Sequence, residues 1–197
     1  RPYLDAYNNV PHVGHSHPRI EAVAKDQLRR INSNTRYLHR AQTEFAKKLL
    51  SKLPEAFKVC YFVNSGSEAN ELALRLAREH TKTRGTITLD DSYFGNTTGN
   101  ISISAYKFKK LKGTCQPDWV EIVPTPDDYR GIFKRSNPNR ASRYADFIDA
   151  SITRLINKGF GVSSFIAETF PSVGGQIIPP QGYLGQVYQK IRSVGGI

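Results

Sequence analysis

The 197-residue sequence has no methionine, one tryptophan and two cysteines. Without a methionine the chain as written does not begin at a translation start. Its last residues, Gly195-Gly196-Ile197, follow directly on a helical pattern. A piece of a longer protein is therefore expected. Cys60 and Cys115 form no C-x-x-C pair, so they suggest no disulfide framework. Cys60 sits in an apolar run and reads as a small core residue. No apolar run approaches the roughly 18–20 residues that a bilayer span needs. The opening Arg-Pro-Tyr-Leu-Asp lacks the apolar stretch of a signal peptide. A soluble, cytoplasmic protein with no membrane partner is expected.

Acidic residues are in deficit, 17 against 28 basic ones, for a net charge of +11. Such a charge attracts anions in general. The densest basic stretch is Lys107, Lys109, Lys110 and Lys112, with Tyr106 and Phe108 interleaved. A nucleic-acid surface is one reading of it. A solvated loop or edge is the other, and no nucleic-acid module accompanies the charges. No nucleic-acid partner is expected. Apolar residues make up 39% of the chain, enough for a core.

Residues 1–16 are turn-rich. Ile20, Val23, Ala24, Leu28 and Ile31 recur at helical spacing, and Pro18 suits the first turn, predicting a helix over 18–31. A second helix is predicted over 43–53, ended by Pro54. The continuous apolar run 59–63 reads as a buried strand. A helix over 68–80 follows, with Ala69, Leu72, Ala73, Leu76 and Ala77 as its apolar stripe. Strands are predicted over 86–89, 120–123 and 164–167. Helices are predicted over 141–157, with Ala145, Ile148, Ile152 and Leu155 inward, and over 182–194, with Leu184, Val187, Tyr188 and Ile191 inward. Alternating strands and helices imply a mostly parallel sheet covered on both faces. Such sheets bind ligands at the carboxyl ends of their strands. Functional residues should therefore follow Val63, Leu89 and Ala167.

After Val63 comes Asn64-Ser65-Gly66-Ser67-Glu68-Ala69-Asn70-Glu71, where a strand would turn abruptly into a helix. The first amides of a helix lack partners, and its dipole adds partial positive charge there. Gly66 lets a ligand approach the backbone, and Ser65 and Ser67 offer hydroxyls. Together these suit a phosphate. The same spacing also fits a plain capping box, Ser65-x-x-Glu68, worth about 1 kcal/mol to the helix start. Spacing alone leaves both readings open.

Asn64 to Glu71, with Leu-Ala-Leu-Arg-Leu-Ala-Arg after it, closely resembles a motif of the class III aminotransferases, enzymes dependent on pyridoxal 5'-phosphate (PLP). Three further segments resemble that family in order. They are Tyr3-Leu4-Asp5 with Gly14-His15-Ser16-His17-Pro18, then Asp90-Asp91-Ser92-Tyr93-Phe94-Gly95, then Ala167-Glu168 with Gly174-Gly175 and Pro179-Pro180-x-Gly182-Tyr183. The resemblance covers nearly the whole chain. It implies the type I PLP fold, an α/β fold of three layers around a mostly parallel sheet. Residues 1–57 would be an N-terminal segment, part of a small domain. Residues 58–197 would be the first part of the large cofactor-binding domain.

The resemblance assigns the cofactor phosphate to Ser65, Gly66 and Ser67, and a stacking face against its pyridine ring to Tyr93. A surface tyrosine is the plainer reading of Tyr93. Phe94 stands where the family usually has histidine. Glu168 is a candidate cofactor-binding residue that would hold a cationic group, or else it makes a structural ion pair. The sequence around it, Glu168-Thr169-Phe170-Pro171-Ser172, departs from the family's usual Glu-Pro-x-Gln-Gly. That departure, with Asn8-Asn9-Val10 and 34–39, resembles the branch holding the ethanolamine-phosphate and phosphohydroxylysine phospho-lyases. Those enzymes eliminate phosphate and ammonia rather than transferring an amino group. Tyr37 is a candidate for the substrate side, or a packing tyrosine.

The resemblance implies a small amine substrate, possibly phosphorylated, and a homodimer. The Schiff-base lysine and the aspartate at the pyridine nitrogen would lie beyond Ile197, so this chain alone should not catalyse and should expose apolar surface. A transaminase is the first reading and a phospho-lyase the second. A non-catalytic binding module is the third. His12, His15 and His17 lie in a turn, and no metal site is expected from them.

Overall fold

A computed structural model describes residues 1–6, 9–34, 36–110 and 116–197, apart from the side chains of 108–110. Asn8, Thr35, Lys112 and Cys115 lie outside the described residues, as do the side chains of Phe108, Lys109 and Lys110. The chain divides into two compact units, Arg1–Tyr61 and Phe62–Ile197.

The first unit holds α1 (Pro18–Arg30) and α2 (Arg40–Leu50). Pro18 opens α1, and the ring Nδ1 of His17 accepts the Arg19 amide at 3.3 Å. Arg29 and Arg30 close it, where the dipole favours cations. His39 caps α2 in the same way, accepting from Ala41. Helix α2 starts earlier than the periodicity predicts and stops at Leu50, because 51–53 tighten into turns before Pro54. Neither helix contains a buried residue, and Ile20, Val23, Leu28 and Phe45 are exposed. Of the three turn histidines, His15 bonds to Asp5 at 2.7 Å and His17 serves as the cap.

The second unit is built on a sheet of three parallel strands in the order β2-β1-β3. The strands are β1 (Thr86–Leu89), β2 (Val120–Val123) and β3 (Ser164–Ile166). In register, Thr86 lies between Val120 and Ser164. Ile87, Leu89 and Val123 face a core with Tyr144, Ala145, Ile148, Ile152, Leu155, Val187 and Ile191. Those residues come from α6 (Arg140–Ala145), α7 (Phe147–Asn157) and α8 (Tyr183–Ser193). Val120 faces the opposite side, joining Leu74, Phe94, Ile103 and Trp119. That layer is supplied by α3 (Gly66–Thr81) and α4 (Thr98–Ile103). The alternation along β2 thus feeds two layers of helices. On the first face, Glu121 is buried and held by Arg154 at 2.6 Å and Lys158 at 2.9 Å.

The structure departs from the sequence reading in several places. Residues 59–63 form no strand, and Val59 and Tyr61 stay 67% and 64% exposed. A strand needs a ladder partner, and among the described residues none of the three strands pairs with 59–63. Cys60 is accordingly half-buried, not a core residue. Helix α3 buries Leu74 and Ala77, whereas Ala69, Ala73 and Leu76 face solvent. The buried face is rotated because Asn70 and Glu71 bond to the segment after β1. The predicted helix over 141–157 breaks at Asp146 into α6 and α7, although Ala145, Ile148, Ile152 and Leu155 all point inward as expected. Helices α4 and α5 (Ala105–Lys110) have too little apolar periodicity to be read from sequence. In α8, Val187 and Ile191 are buried with Tyr183, while Tyr188 is half-exposed.

Candidate functional site

The chain passes from β1 to β2 on one side and then returns to β3 on the other. In open parallel sheets, ligands bind where such connections diverge, at the carboxyl ends of the strands. Here that point lies between Leu89 and Ile166. The segment 90–97 leaves β1 there, and Glu168 follows β3.

Glu168 joins the two strand ends. Its Oε1 accepts the backbone amide of Tyr93 at 3.2 Å, and its Oε2 accepts that of Ser172 at 2.9 Å. The carboxylate is therefore a clasp on backbone, and the ion-pair alternative is not what the described residues show. Thr88 and Ser92 bond through their hydroxyls at 3.0 Å, and the Tyr106 amide donates to the Ser92 carbonyl at 3.1 Å. Phe94 is buried in the α3-side core, and its amide donates to Ser104 Oγ at 3.0 Å. The position that departs from the family's histidine thus anchors the loop by packing. Tyr93 is half-buried, edge-on to Tyr106 with centroids 6.4 Å apart.

The head of α3 is the second half of the site. Ser65 has extended backbone and its Oγ accepts the Glu68 amide at 3.1 Å. The Glu68 carboxylate in turn accepts the Asn64 amide. The capping box is therefore formed. It uses only the third amide of the helix, and the Gly66 and Ser67 amides have no bonded partner among the described residues. Gly66 is exposed, and a side chain added there would meet nothing within 4 Å. The capping box therefore leaves the two amides before it open among the described residues, an arrangement that suits an anion.

The loop and the helix head are bonded together. The Asn96 amide donates to Ser67 Oγ at 3.2 Å, and Asn100 Nδ2 donates to the Ser67 carbonyl at 2.7 Å. Asn70 Nδ2 donates to the Phe94 carbonyl at 2.8 Å, and Thr97 Oγ1 to Glu71 at 3.0 Å. Gly95, at φ +134°, lies so close to α3 that an added Cβ would stand 2.3 Å from Ser67 Oγ. No L-residue with a side chain fits there without displacing the loop. Farther along α3, burial and the charge of Arg84 hold the Arg78 guanidinium below its ordinary range, with Glu71 opposing them.

Ser65, Gly66, Ser67, Tyr93 and Glu168 are thus brought into one bonded framework at the expected sheet edge. Tyr37 belongs to the Arg1–Tyr61 unit, where it is exposed and borders a small hollow with Gln27, Asn34 and His39. A groove of about 510 Å³ opens over the ends of β1 and β2, lined by Asp90, Thr125, Arg130 and Ile177 among others. None of the predicted site residues lines it. Sequence reasoning missed Asn70, Glu71 and Asn100. The first two lie three and four residues after Ser67, on its helix face, and that spacing was the available signal. Nothing in the sequence around Asn100 marks it.

Known proteins match almost the whole of this chain. The aminotransferase class-III family model matches residues 1–193. An alanine–glyoxylate aminotransferase 2-like protein of Drosophila melanogaster is 46% identical over 99% of this chain and 40% of its own length. An ethanolamine-phosphate phospho-lyase homolog of Caenorhabditis elegans is 36% identical over 99% of this chain and 44% of its own. Among solved structures, an Arthrobacter phospholyase in complex with phosphoethanolamine matches with a TM-score of 0.89 and 39% identity, over 99% of this chain and 45% of that one. The chain thus spans less than half the length of these relatives. With the family model matching almost every residue, the chain belongs to the class-III aminotransferases.

Proposed function

We propose that the intact protein is a PLP-dependent enzyme acting on a small amine, with transamination as its reaction. One observation supports this reading: the Gly66 and Ser67 amides at the head of α3 have no bonded partner among the described residues, and Ser67 Oγ accepts the Asn96 amide of the loop that presents Tyr93. When bound, PLP supplies an electron sink for the carbon bearing the substrate's amine. Gly66 and Ser67 would hold its phosphate through backbone N–H groups, aided by the Ser67 hydroxyl and the helix dipole. Ser65 would keep the helix head in shape. Tyr93 would offer a flat face to the pyridine ring and keep water from one side of it. Glu168 would fix Tyr93 and the 172 loop relative to the sheet. Residues 1–57 would belong to a small domain, with Tyr37 on the substrate side, and residues 58–197 would begin the large domain. A homodimer in the cytoplasm completes the proposal.

Phosphate elimination is the second reading. The similarity to the Arthrobacter phospholyase favours it, at 39% identity against 22% for a taurine:2-oxoglutarate aminotransferase in complex with PLP and glutamate. An amine substrate bearing phosphate would suit the +11 charge.

Product analysis on the intact protein with PLP separates the readings. Transamination moves the amino group onto a keto acid, whereas elimination from phosphoethanolamine releases phosphate and ammonia together. If neither occurs with a panel of amines while PLP still binds, both enzyme readings fall and a binding module remains.

A further inference from the structure

We propose that Lys107 is a positioning residue for Tyr93, its ammonium shared between two aromatic rings so that the plane of Tyr93 is held. The proposal rests on the reading that Tyr93 faces the cofactor. Lys107 Nζ lies 5.5 Å from the Tyr93 centroid and 5.8 Å from that of Tyr106. The two rings meet at 81°, edge to face. Each ring face carries negative quadrupole potential, so one cation within about 6 Å of both centroids attracts both. Swinging either ring away loses part of that attraction.

Three observations favour a positioning role over an ordinary surface lysine. First, Lys107 forms no ion pair with a carboxylate among the described residues, although many of the chain's lysines do. Its charge is left for the rings. Second, the Tyr106 amide donates to the Ser92 carbonyl at 3.1 Å, so the start of α5 is tied to the residue just before Tyr93. Lysine and target are therefore held by one short piece of backbone. Third, Glu168 and Ser104 fix the main chain at Tyr93 and Phe94, and Phe94 is buried. With the backbone fixed, the side-chain torsions of Tyr93 are the freedom left to restrict, and among the described residues Tyr106 and Lys107 make the aromatic and cation contacts to its ring. A ring ordered before the cofactor arrives loses less entropy on binding.

The test is a double-mutant cycle on the intact protein, freed of cofactor and titrated with PLP by absorbance. Lys107→Met keeps the stem and removes the charge, and it should weaken PLP binding about three- to fivefold. Lys107→Arg restores a cation suited to ring faces and should bind within about twofold of wild type. Tyr93→Ala should weaken binding by about tenfold or more, and Lys107→Met should then add nothing to it. If Tyr93→Ala binds PLP like wild type, the reading of Tyr93 fails and this proposal with it. If Tyr93→Ala weakens binding but Lys107→Met does not, the role of Lys107 alone is refuted. Equal losses from Lys107→Met in both backgrounds refute it too, since the lysine would then act through something other than the ring.

Discussion

Glu168 and Tyr93, 75 residues apart in sequence, meet through a single bond of 3.2 Å from a backbone amide to a carboxylate oxygen. The bond ties the exit of β1 to the exit of β3, and the second oxygen extends the tie to Ser172. Glu168 thus sets where the aromatic face stands by accepting two backbone amides. Two substitutions separate acceptor from charge. Glu168→Gln keeps one oxygen for the Tyr93 amide and should hold PLP affinity within about fivefold of wild type. Glu168→Ala leaves both amides without partners, a loss of roughly 1–3 kcal/mol, and should weaken PLP binding at least tenfold. Titration of the intact apoprotein checks this. Equal affinities for Ala and wild type would remove Glu168 from the site.

The two glycines of the framework should behave oppositely. Gly66→Ala meets nothing within 4 Å, and alanine favours a helix over glycine by up to about 1 kcal/mol. The protein should unfold at the same temperature or higher, yet the methyl group would stand where a phosphate must approach the amides, lowering PLP affinity about tenfold. Gly95→Ala drives a methyl group into Ser67 at a backbone angle that side chains avoid. It should cost about 2 kcal/mol of stability or more and weaken PLP binding as well. Thermal unfolding beside PLP titration distinguishes them. A Gly66→Ala variant that binds PLP like wild type would count against the cradle.

Asp128 predicts an acid response. The hydrogen bond from Arg135, at 2.9 Å, holds its carboxyl below the ordinary range; burial opposes this, while a second bond, from Arg140 at 3.0 Å, and the charges of both arginines add to it. The folded value lies below the unfolded one of about 3.9. The contribution to stability is thus complete above the unfolded value and disappears as pH falls through the folded one. Asp128→Asn should therefore destabilise the protein at pH 7 and match wild type more closely near pH 3. Urea unfolding at both pH values measures the difference. A gap of the same size at both would show that Asp128 acts by shape alone.

Much of the framework was legible in the sequence because it depends on short-range rules. The runs 86–89 and 120–123 are apolar and β-forming, and both are strands over those residues. Ser65-x-x-Glu68 announces a capped helix start, and the cap forms. Periodicity placed Ala145, Ile148, Ile152 and Leu155 inward, and they are buried. The head of α3 could be located because a helix start is a local object whose first amides follow from chain geometry alone.

What the sequence could not decide is which partner each group finds. The apolar run 59–63 has the composition of a strand, but whether it is one depends on an open sheet edge, which is a property of the assembled fold. The buried side of α3 was misjudged for the same kind of reason. Counting apolar residues selected a stripe of Ala69, Leu72, Ala73, Leu76 and Ala77. Ala77 is buried as expected, whereas bonds between Asn70 and Glu71 and the loop after β1 turn Leu74 inward and leave Ala69, Ala73 and Leu76 exposed. Glu168 could equally have met a cation. Only the parallel pairing of β1 with β3 sets the two exits side by side, so that a carboxylate after β3 meets the Tyr93 amide after β1. Sequence by itself determined where β1, β2 and the capped head of α3 begin, because those follow from neighbours along the chain. Tertiary structure alone decided what Glu168, Phe94 and Lys107 do, because their partners are brought to them by folding.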